Sequence, residues 1–336
     1  MVDFNRRKLN FLDYAKILTA ILVVLGHILR MYTGKGLFKP LEGNQFFSLT
    51  CDYVYTFHMP LFFMISGGVF FILKRKSDRY KKMSSFVLNK TRRLILPYLC
   101  FSFLVMLTMW YIGDIKDSIW RYFLFNYIFA FGCRHLWFLL VLYVISIFFF
   151  CFESKIYTKN IFFLLFLICY YIADFFTYAF QIASILNYSI FFYLGYQAMK
   201  NFGKISIYIT AKNFLLIMFF SICLFYLYLQ VNINLFQKSL GLVLSVLGSY
   251  MVISVSYFLE KKIKIGTTRI FQFYSYTFSI YLFHPMIIYL IFYHFRFIQM
   301  DSYLMLVGSF ILSISVSILL AKIFRKLKLG FVLGEK

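Results

Sequence analysis

The chain has 336 residues, of which 62% are hydrophobic and only 14% are charged, so it lacks the polar surface that a soluble protein of this length needs. The formal net charge of the chain is +23, and a strongly basic charge is also typical of nucleic-acid-binding proteins. Here, however, Lys and Arg are clustered between apolar segments, which is the pattern of membrane topology signals. We therefore predict an integral membrane protein with no nucleic-acid partner, some of whose cations contact anionic lipid head groups.

Apolar segments close to the length needed to cross about 30 Å of hydrocarbon recur along the whole chain. They are roughly residues 12–32, 48–73, 94–112, 136–152, 160–178, 184–200, 213–231, 238–259, 273–294 and 303–323. These segments predict an all-α fold, a polytopic transmembrane helical bundle of about ten spans. Residues 1–336 are predicted to form a single integral membrane domain with no separate soluble domain.

Residues 118–133 are also apolar, but this segment is short and contains Arg121 and Asn126. If it is re-entrant or interfacial, the basic loops alternate and most Lys and Arg lie on one side. If it were a full span, the basic loops at 200–212 and 260–269 would lie outside. We therefore predict a non-crossing segment, both chain termini in the cytoplasm and a retained first helix. The bias of the composition towards Phe, Tyr, Ile and Lys indicates an AT-rich bacterial source, so the predicted location is a bacterial cytoplasmic (inner) membrane.

The first span carries three ionisable residues, Asp13, Lys16 and His27. Lys16 and His27 are eleven residues apart, so both project from one helix face about 16 Å apart along the axis, and Asp13 lies on the same broad face. Ionisable residues inside a membrane segment are expensive to bury and therefore indicate function. Simpler explanations stay open: Asp13 as an N-cap, Lys16 reaching the interface, and His27 as a packed, hydrogen-bonded histidine.

Further polar residues lie at two levels of the predicted bundle. Arg92 and Arg93 adjoin the third span at the inner side, where guanidinium groups could bind phosphate. Towards the outer half lie His58, His135 and Trp137, while His284 lies between the two levels.

Small residues and prolines accompany these polar positions. Ser66-Gly67-Gly68 permits close approach of another helix. Pro60, Pro97 and Pro285 lie in or at the ends of spans, where each interrupts the backbone hydrogen bonds, so we expect neighbouring groups to bind the freed carbonyls.

In this ordered set of motifs the chain resembles the membrane-bound acyltransferase 3 family, in particular the branch of sugar O-acetylases that includes fucose 4-O-acetylase-like proteins. A basic residue, ten residues and then His in the first helix correspond to Lys16 and His27 here. The segments Phe57–Gly68, Arg92–Tyr98, Leu136–Leu139 and Tyr281–His284 resemble later motifs of the family. Lys16 replaces the more common Arg, which removes bidentate geometry, and Gly68-Val69 stands where many relatives have an aromatic residue.

The resemblance implies transfer of an acetyl group from cytoplasmic acetyl-CoA to a hydroxyl of a cell-surface glycan or its lipid-linked precursor, without a metal. It implies His27, Lys16 and Asp13 as catalytic residues, with Lys16, Arg92 and Arg93 binding acetyl-CoA. From their positions and residue types, we further predict substrate binding by His58, Trp137, His135 and His284. A transporter or flippase for a lipid-linked saccharide or acyl donor is the main alternative, and a structural partner in envelope assembly is a third. Oligomeric state, including a homodimer, is left open.

Overall fold

A computed structural model describes residues 11–38, 43–76, 80–116, 118–158, 160–262 and 269–335, with side chains from residue 273 in the last range. These residues form helices and turns and include no β-strand. The α-helices are α1 (Phe11–Leu29), α2 (Gln45–Lys76), α3 (Met83–Lys90), α4 (Leu96–Tyr111), α5 (Ile119–Phe123), α6 (Trp137–Thr158), α7 (Ile161–Ile172), α8 (Ile182–Lys200), α9 (Phe202–Ile205), α10 (Ala211–Gln230), α11 (Asn234–Lys262), α12 (Arg269–Phe295) and α13 (Ser302–Lys326). The predicted cytoplasmic N-terminus at residues 1–10 and the middle of the predicted loop 260–269 lie outside the described residues.

Eight helical segments of the described chain are long and apolar enough to cross a membrane. They correspond to the first four and the last four of the ten predicted spans. The other two predicted spans also form helices, but Ile161–Phe175 is short and α8 is less apolar. The all-α polytopic bundle is therefore confirmed, and the expected number of about ten crossings depends on these two helices.

The segment at 118–133 does not cross the bundle. It contains only α5 and one π-helical turn, Leu124–Ile128, which together extend about 15 Å. Asp114, which follows α4, forms an ion pair with Arg134, which precedes α6. The chain therefore returns to the end of the bundle at which it left, as the positions of the basic loops predicted.

Helices α2 and α8 approach each other at two glycines. A Cβ atom at Gly67 would lie 2.0 Å from the carbonyl oxygen of Phe192, and one at Gly195 would lie 1.9 Å from that of Met64. Neither position can hold a side chain unless the helices separate. The predicted close approach at Ser66-Gly67-Gly68 is thus confirmed for Gly67, and α8 is the helix that packs there.

Pro60 and Pro285 lie inside helices, and at Pro60 a side chain binds the carbonyl group that the proline leaves free. Pro60 cannot donate to the carbonyl of Thr56, and the hydroxyl of Ser245 on α11 donates to that oxygen at 2.6 Å instead. Pro285 interrupts α12 in the same way. The expectation that neighbouring groups satisfy the freed backbone is confirmed at Pro60.

Helix α1 packs against α2, α11, α12 and α13, so its polar residues lie within the bundle. We call the end of the bundle at which α1 begins the Lys16 end, and the end at which α1 runs into the turn Arg30–Thr33 the Arg30 end. Lys16 contacts Tyr274 and His27 contacts His284, both on α12. This confirms that Lys16 and His27 project from one face of α1.

Candidate active site

A cavity of about 350 Å³ lies towards the Arg30 end and contains four of the predicted site residues. We call it the reaction cavity. All four line it: His27 from α1, His58 from α2, His135 from the 3₁₀ turn Arg134–Leu136, and Trp137 from the start of α6. The remaining lining residues are Val23, Arg30, Met31, Lys35, Gly36, Leu37, Tyr55, Met59, Arg134, Tyr188, Tyr281 and Tyr289. The structure therefore joins residues that the sequence separates by more than a hundred positions.

His27 is half-buried at the last turn of α1, with its ring in contact with one other imidazole. The centroids of His27 and His284 lie 5.0 Å apart, with the rings nearly perpendicular. Within the described chain the His27 side chain makes no hydrogen bond. Its nitrogens are therefore available to a substrate in the reaction cavity.

Three other histidines are each held through one ring nitrogen by a backbone carbonyl. The bonds run from His58 Nδ1 to Val54 at 3.0 Å, from His135 Nε2 to Leu282 at 3.2 Å and from His284 Nδ1 to Ile280 at 2.8 Å. Because a carbonyl oxygen only accepts, each bonded nitrogen carries the proton and the other ring nitrogen is a lone-pair acceptor.

Two of those acceptor nitrogens are buried without a partner in the described chain. They are His135 Nδ1 and His284 Nε2. His284 is fully buried and lies behind His27, outside the set of residues that line the reaction cavity. Its predicted contact with substrate stays a prediction, whereas its contact with His27 is observed.

A second cavity of about 580 Å³, which we call the vestibule, adjoins the reaction cavity. Arg134, Trp137 and Tyr188 line both, and the rings of Trp137 and Tyr188 lie 5.0 Å apart. The rest of the vestibule is formed by Tyr122, Asn126, Phe131, Gly132, Cys133, Asp174, Tyr178, Gln181, Ala183, Ser184 and Asn187. Amides, hydroxyls and aromatic rings thus surround one space, which explains why α8 is less apolar than its neighbours.

The backbone around the vestibule is strained. Ala130, Arg134, Phe180 and Gln181 all have positive φ, between 50° and 60°, although none is glycine. The side-chain amide of Gln181 donates to the backbone carbonyl of Ala130 at 2.6 Å, a bond that connects two of these strained positions. Such residues cluster at functional sites, where surrounding contacts hold them in place.

At the Lys16 end, Lys16 donates to the hydroxyl of Tyr274 at 3.0 Å and pairs with Asp13 at 3.4 Å. Asp13 therefore contacts Lys16 and lies about 21 Å along the helix axis from His27. Any catalytic role of Asp13 acts through that cation. None of the charged residues predicted at this end lines the reaction cavity.

Arg92 and Arg93 are exposed on a π-helical turn, Thr91–Ile95, that joins α3 to α4. Gly334 and Glu335, near the end of the described chain, connect this turn to α12. Gly334 packs so closely on the turn that a Cβ atom there would lie 2.9 Å from the Arg93 carbonyl oxygen. Its neighbour Glu335 binds Arg325, whose guanidinium donates to the carbonyl of Ser275 at 2.9 Å. Arg92, Arg93 and Lys16 thus share one end of the bundle, but no direct contact among them is described.

Sequence reasoning did not identify most residues of the vestibule or the contribution of Arg30 to the reaction cavity. Gln181 and Asn187 lie in segments without a recognisable motif, and the sequence shows Asn126 only as a polar residue that argues against a full span at 118–133. Arg30 did carry a signal, because a residue three positions after His27 lies on the same side of the helix.

A family model described as an acyltransferase domain matches residues 9–322, which is nearly the whole chain. The chain belongs to the acyltransferase 3 family. Comparisons with curated proteins and with solved structures gave no match. The acyltransferase is thus a multi-pass membrane protein, and among its described residues no His, Cys, Asp or Glu side chains group in a way that could hold a metal ion.

Proposed function

We propose that this acyltransferase moves an acetyl group from acetyl-CoA to a hydroxyl of a cell-surface glycan or its lipid-linked precursor, in the bacterial cytoplasmic membrane. One observation carries the proposal. A half-buried histidine without a hydrogen-bond partner in the described chain faces a cavity that shares the wall residues Arg134, Trp137 and Tyr188 with a vestibule of saccharide size.

The vestibule supports a glycan as acceptor. Sugar hydroxyls bind amide and hydroxyl groups, and the apolar face of a sugar ring packs on aromatic side chains. Asn126, Asn187 and Gln181 supply the amides, while Trp137 and Tyr188 supply rings at the junction with the reaction cavity. A glycan chain in the vestibule would present one residue to His27 through this junction.

His27 is the general base of the proposed reaction. One of its nitrogens takes the proton of the acceptor hydroxyl while the oxygen attacks the thioester carbonyl carbon. The tetrahedral intermediate then collapses, the carbon–sulfur bond breaks, and the imidazolium returns the proton to the leaving thiolate. The products are an O-acetyl ester and CoA. Transient acylation of His27 followed by transfer is the alternative covalent course.

His284 positions His27 in this proposal. Its Nδ1 proton is committed to Ile280, so its buried Nε2 presents a lone pair beside the His27 ring. A lone pair at that position favours the His27 tautomer whose N–H points towards His284, because the lone pair attracts that proton electrostatically even where the two rings are not hydrogen-bonded. The other nitrogen of His27 is then left unprotonated for the acceptor hydroxyl.

The donor is proposed to approach from the Lys16 end. The phosphates of acetyl-CoA suit the cations Lys16, Arg92 and Arg93, which share that end. The thioester must then reach His27, about 16 Å further along α1, a distance of the same order as the extended pantetheine arm. Both Lys16 and His27 face α12, so this interface is the proposed course of the arm.

The test uses purified protein in detergent, acetyl-CoA labelled in the acetyl group, and envelope glycans from cells that express the protein. We expect labelled glycan from wild type and a loss of about 10²- to 10⁴-fold in His27→Ala, the usual contribution of a general base. His294→Ala is the matched control, since His294 is an exposed histidine outside the cavities. Full activity of His27→Ala would refute the mechanism. Uptake of saccharide into liposomes without loss of thioester would favour a transporter.

A further inference from the structure

The cation nearest to His27 along the chain lines the reaction cavity with it. Arg30 begins the turn that follows α1, three residues after His27, and it is half-buried. At this spacing the Cβ atoms of two helical residues lie about 5–6 Å apart. A group bound by Arg30 is therefore held beside the reacting hydroxyl.

The charges that line the reaction cavity are all positive. They belong to Arg30, Lys35 and Arg134, and no Asp or Glu among the described residues lines it. Lys35 pairs with Asp52 at 3.5 Å, and Arg134 pairs with Asp114.

Arg30 forms no ion pair with any residue that the structure describes. Its guanidinium lies over the ring of Tyr55, 5.1 Å from the centroid, and an aromatic ring compensates a cation only in part. Arg30 is therefore the one charge of the described cavity wall whose counter-ion is missing from the described protein.

Arg30 is half-buried at the end of its span, where its guanidinium is less well solvated than in bulk water and therefore binds an anion more strongly. We infer that the acceptor carries an anionic group, a carboxylate or a phosphate, close to the hydroxyl that is acetylated, and that Arg30 binds this group. The planar guanidinium fits two oxygens of either anion. The inference rests on the proposed function, because it takes the reaction cavity to be the place where the acceptor hydroxyl meets His27.

The anion belongs to the acceptor and not to the donor because of where the cations lie. Arg30 is fourteen residues after Lys16, so it lies about 21 Å further along the helix axis, beyond His27. In the proposed reaction the CoA phosphates stay at the Lys16 end and only the thioester reaches His27. The Arg30 side of the cavity, which also adjoins the vestibule through Arg134, is left to the acceptor.

The experiment measures binding and transfer with three probes of one ring type. Methyl β-glucuronide carries a carboxylate, glucose 1-phosphate carries a phosphate, and methyl β-glucoside is neutral. Binding to the full-length protein in detergent is measured by equilibrium dialysis of each radiolabelled probe. Acetyl transfer to each probe is measured with labelled acetyl-CoA.

We expect wild type to bind at least one anionic probe about 10- to 100-fold more tightly than the glucoside, the value of a charge-assisted hydrogen-bonded contact. The anionic probe that binds more tightly shows whether the anionic group of the natural acceptor is a carboxylate or a phosphate. Arg30→Gln should reduce this preference to about onefold. Arg296→Gln is the matched control, because Arg296 also lies over an aromatic ring, that of Tyr293 at 3.9 Å, but lines none of the three described cavities.

Equal binding of the anionic and neutral probes, including no binding of any of them, overturns the inference, as does a preference that survives Arg30→Gln in a protein with the wild-type melting temperature. The proposed function fails differently. If the anion preference depends on Arg30 but neither the probes nor envelope glycans are acetylated, the cavity binds an anion and the assignment as an acetyltransferase is wrong. If glycans are acetylated without an anion preference, the proposed function stands and this inference falls.

Discussion

Replacing His284 with leucine should separate activity from stability. Leucine is close to histidine in volume and removes both ring nitrogens. If His284 positions His27 through their ring contact, the variant should lose acetyl transfer about 10- to 100-fold, the range found when a neighbour that orients a functional histidine is removed. A residue that only supports the fold would instead lower stability.

The structure sets the size of the stability effect. In wild type, His284 Nδ1 donates to Ile280 at 2.8 Å, a bond that contributes about 0.5–1.5 kcal/mol to stability. Its Nε2 is buried without a partner in the described chain, which costs about 1–3 kcal/mol. Leucine removes both terms, so the net change lies between about 0.5 kcal/mol of destabilisation and about 2.5 kcal/mol of stabilisation.

Thermal unfolding in detergent measures the stability, and initial rates of acetyl transfer measure the activity of the same preparations. His294→Leu is the matched control, because His294 Nδ1 bonds the carbonyl of Leu290 at 2.8 Å on the same helix but is exposed. It should keep its activity. A large fall in melting temperature with normal activity per folded molecule in His284→Leu would refute the positioning role and make His284 a structural residue.

Two further predictions concern the donor and the helix contact. Lys16→Gln should raise the KM for acetyl-CoA roughly tenfold or more, because a charged contact with phosphate is lost. Binding of the acceptor probes should be unchanged. Steady-state kinetics and equilibrium dialysis measure the two effects, and an unchanged KM would contradict the prediction. Gly195→Ala should destabilise the protein by about 1–3 kcal/mol or prevent folding, because its Cβ would lie 1.9 Å from the Met64 carbonyl oxygen. Gly308→Ala is the control, because a Cβ atom there meets nothing within 4 Å, and it should melt at the wild-type temperature or slightly higher. Equal melting temperatures of the two variants would show that α2 and α8 are not in close contact.

Hydrophobic length and charge distribution were enough to predict the bundle. Apolar segments of about twenty residues have one stable solution in a membrane, the helix, so their positions translate directly into elements. The non-crossing segment at 118–133 was predicted from its short length, its polar residues and the positions of the basic loops, and the ion pair between Asp114 and Arg134 is consistent with it. The crossing status of Ile161–Phe175 and α8 was harder to predict, because α8 exchanges apolar residues for the polar groups of the vestibule.

The candidate site was predictable where one helix carries the pattern. Lys16 and His27 share a face of α1 because their spacing is close to three full turns, and contacts to α12 confirm it. Convergence of His58, His135 and Trp137 on His27 depends on how α2 packs against α1 and on the bond from His135 to Leu282 of α12, which no local pattern encodes. The vestibule also depends on strained backbone at Arg134 and Gln181, which are residue types that carry no signal for positive φ.

The distribution of space along α1 bears on how the donor can reach His27. The reaction cavity extends towards the Lys16 end as far as Val23, which leaves seven residues, or about 10 Å, to Lys16. Between them Ala20 falls on the same stripe of the helix and is buried, so the described bundle is packed along this stretch. If the acetyl-CoA arm follows the α1–α12 interface, these helices must separate there when the donor binds. The small side chain of Ala20 lowers the free-energy cost of that separation, because Ala20 exposes little apolar surface when it loses its neighbours.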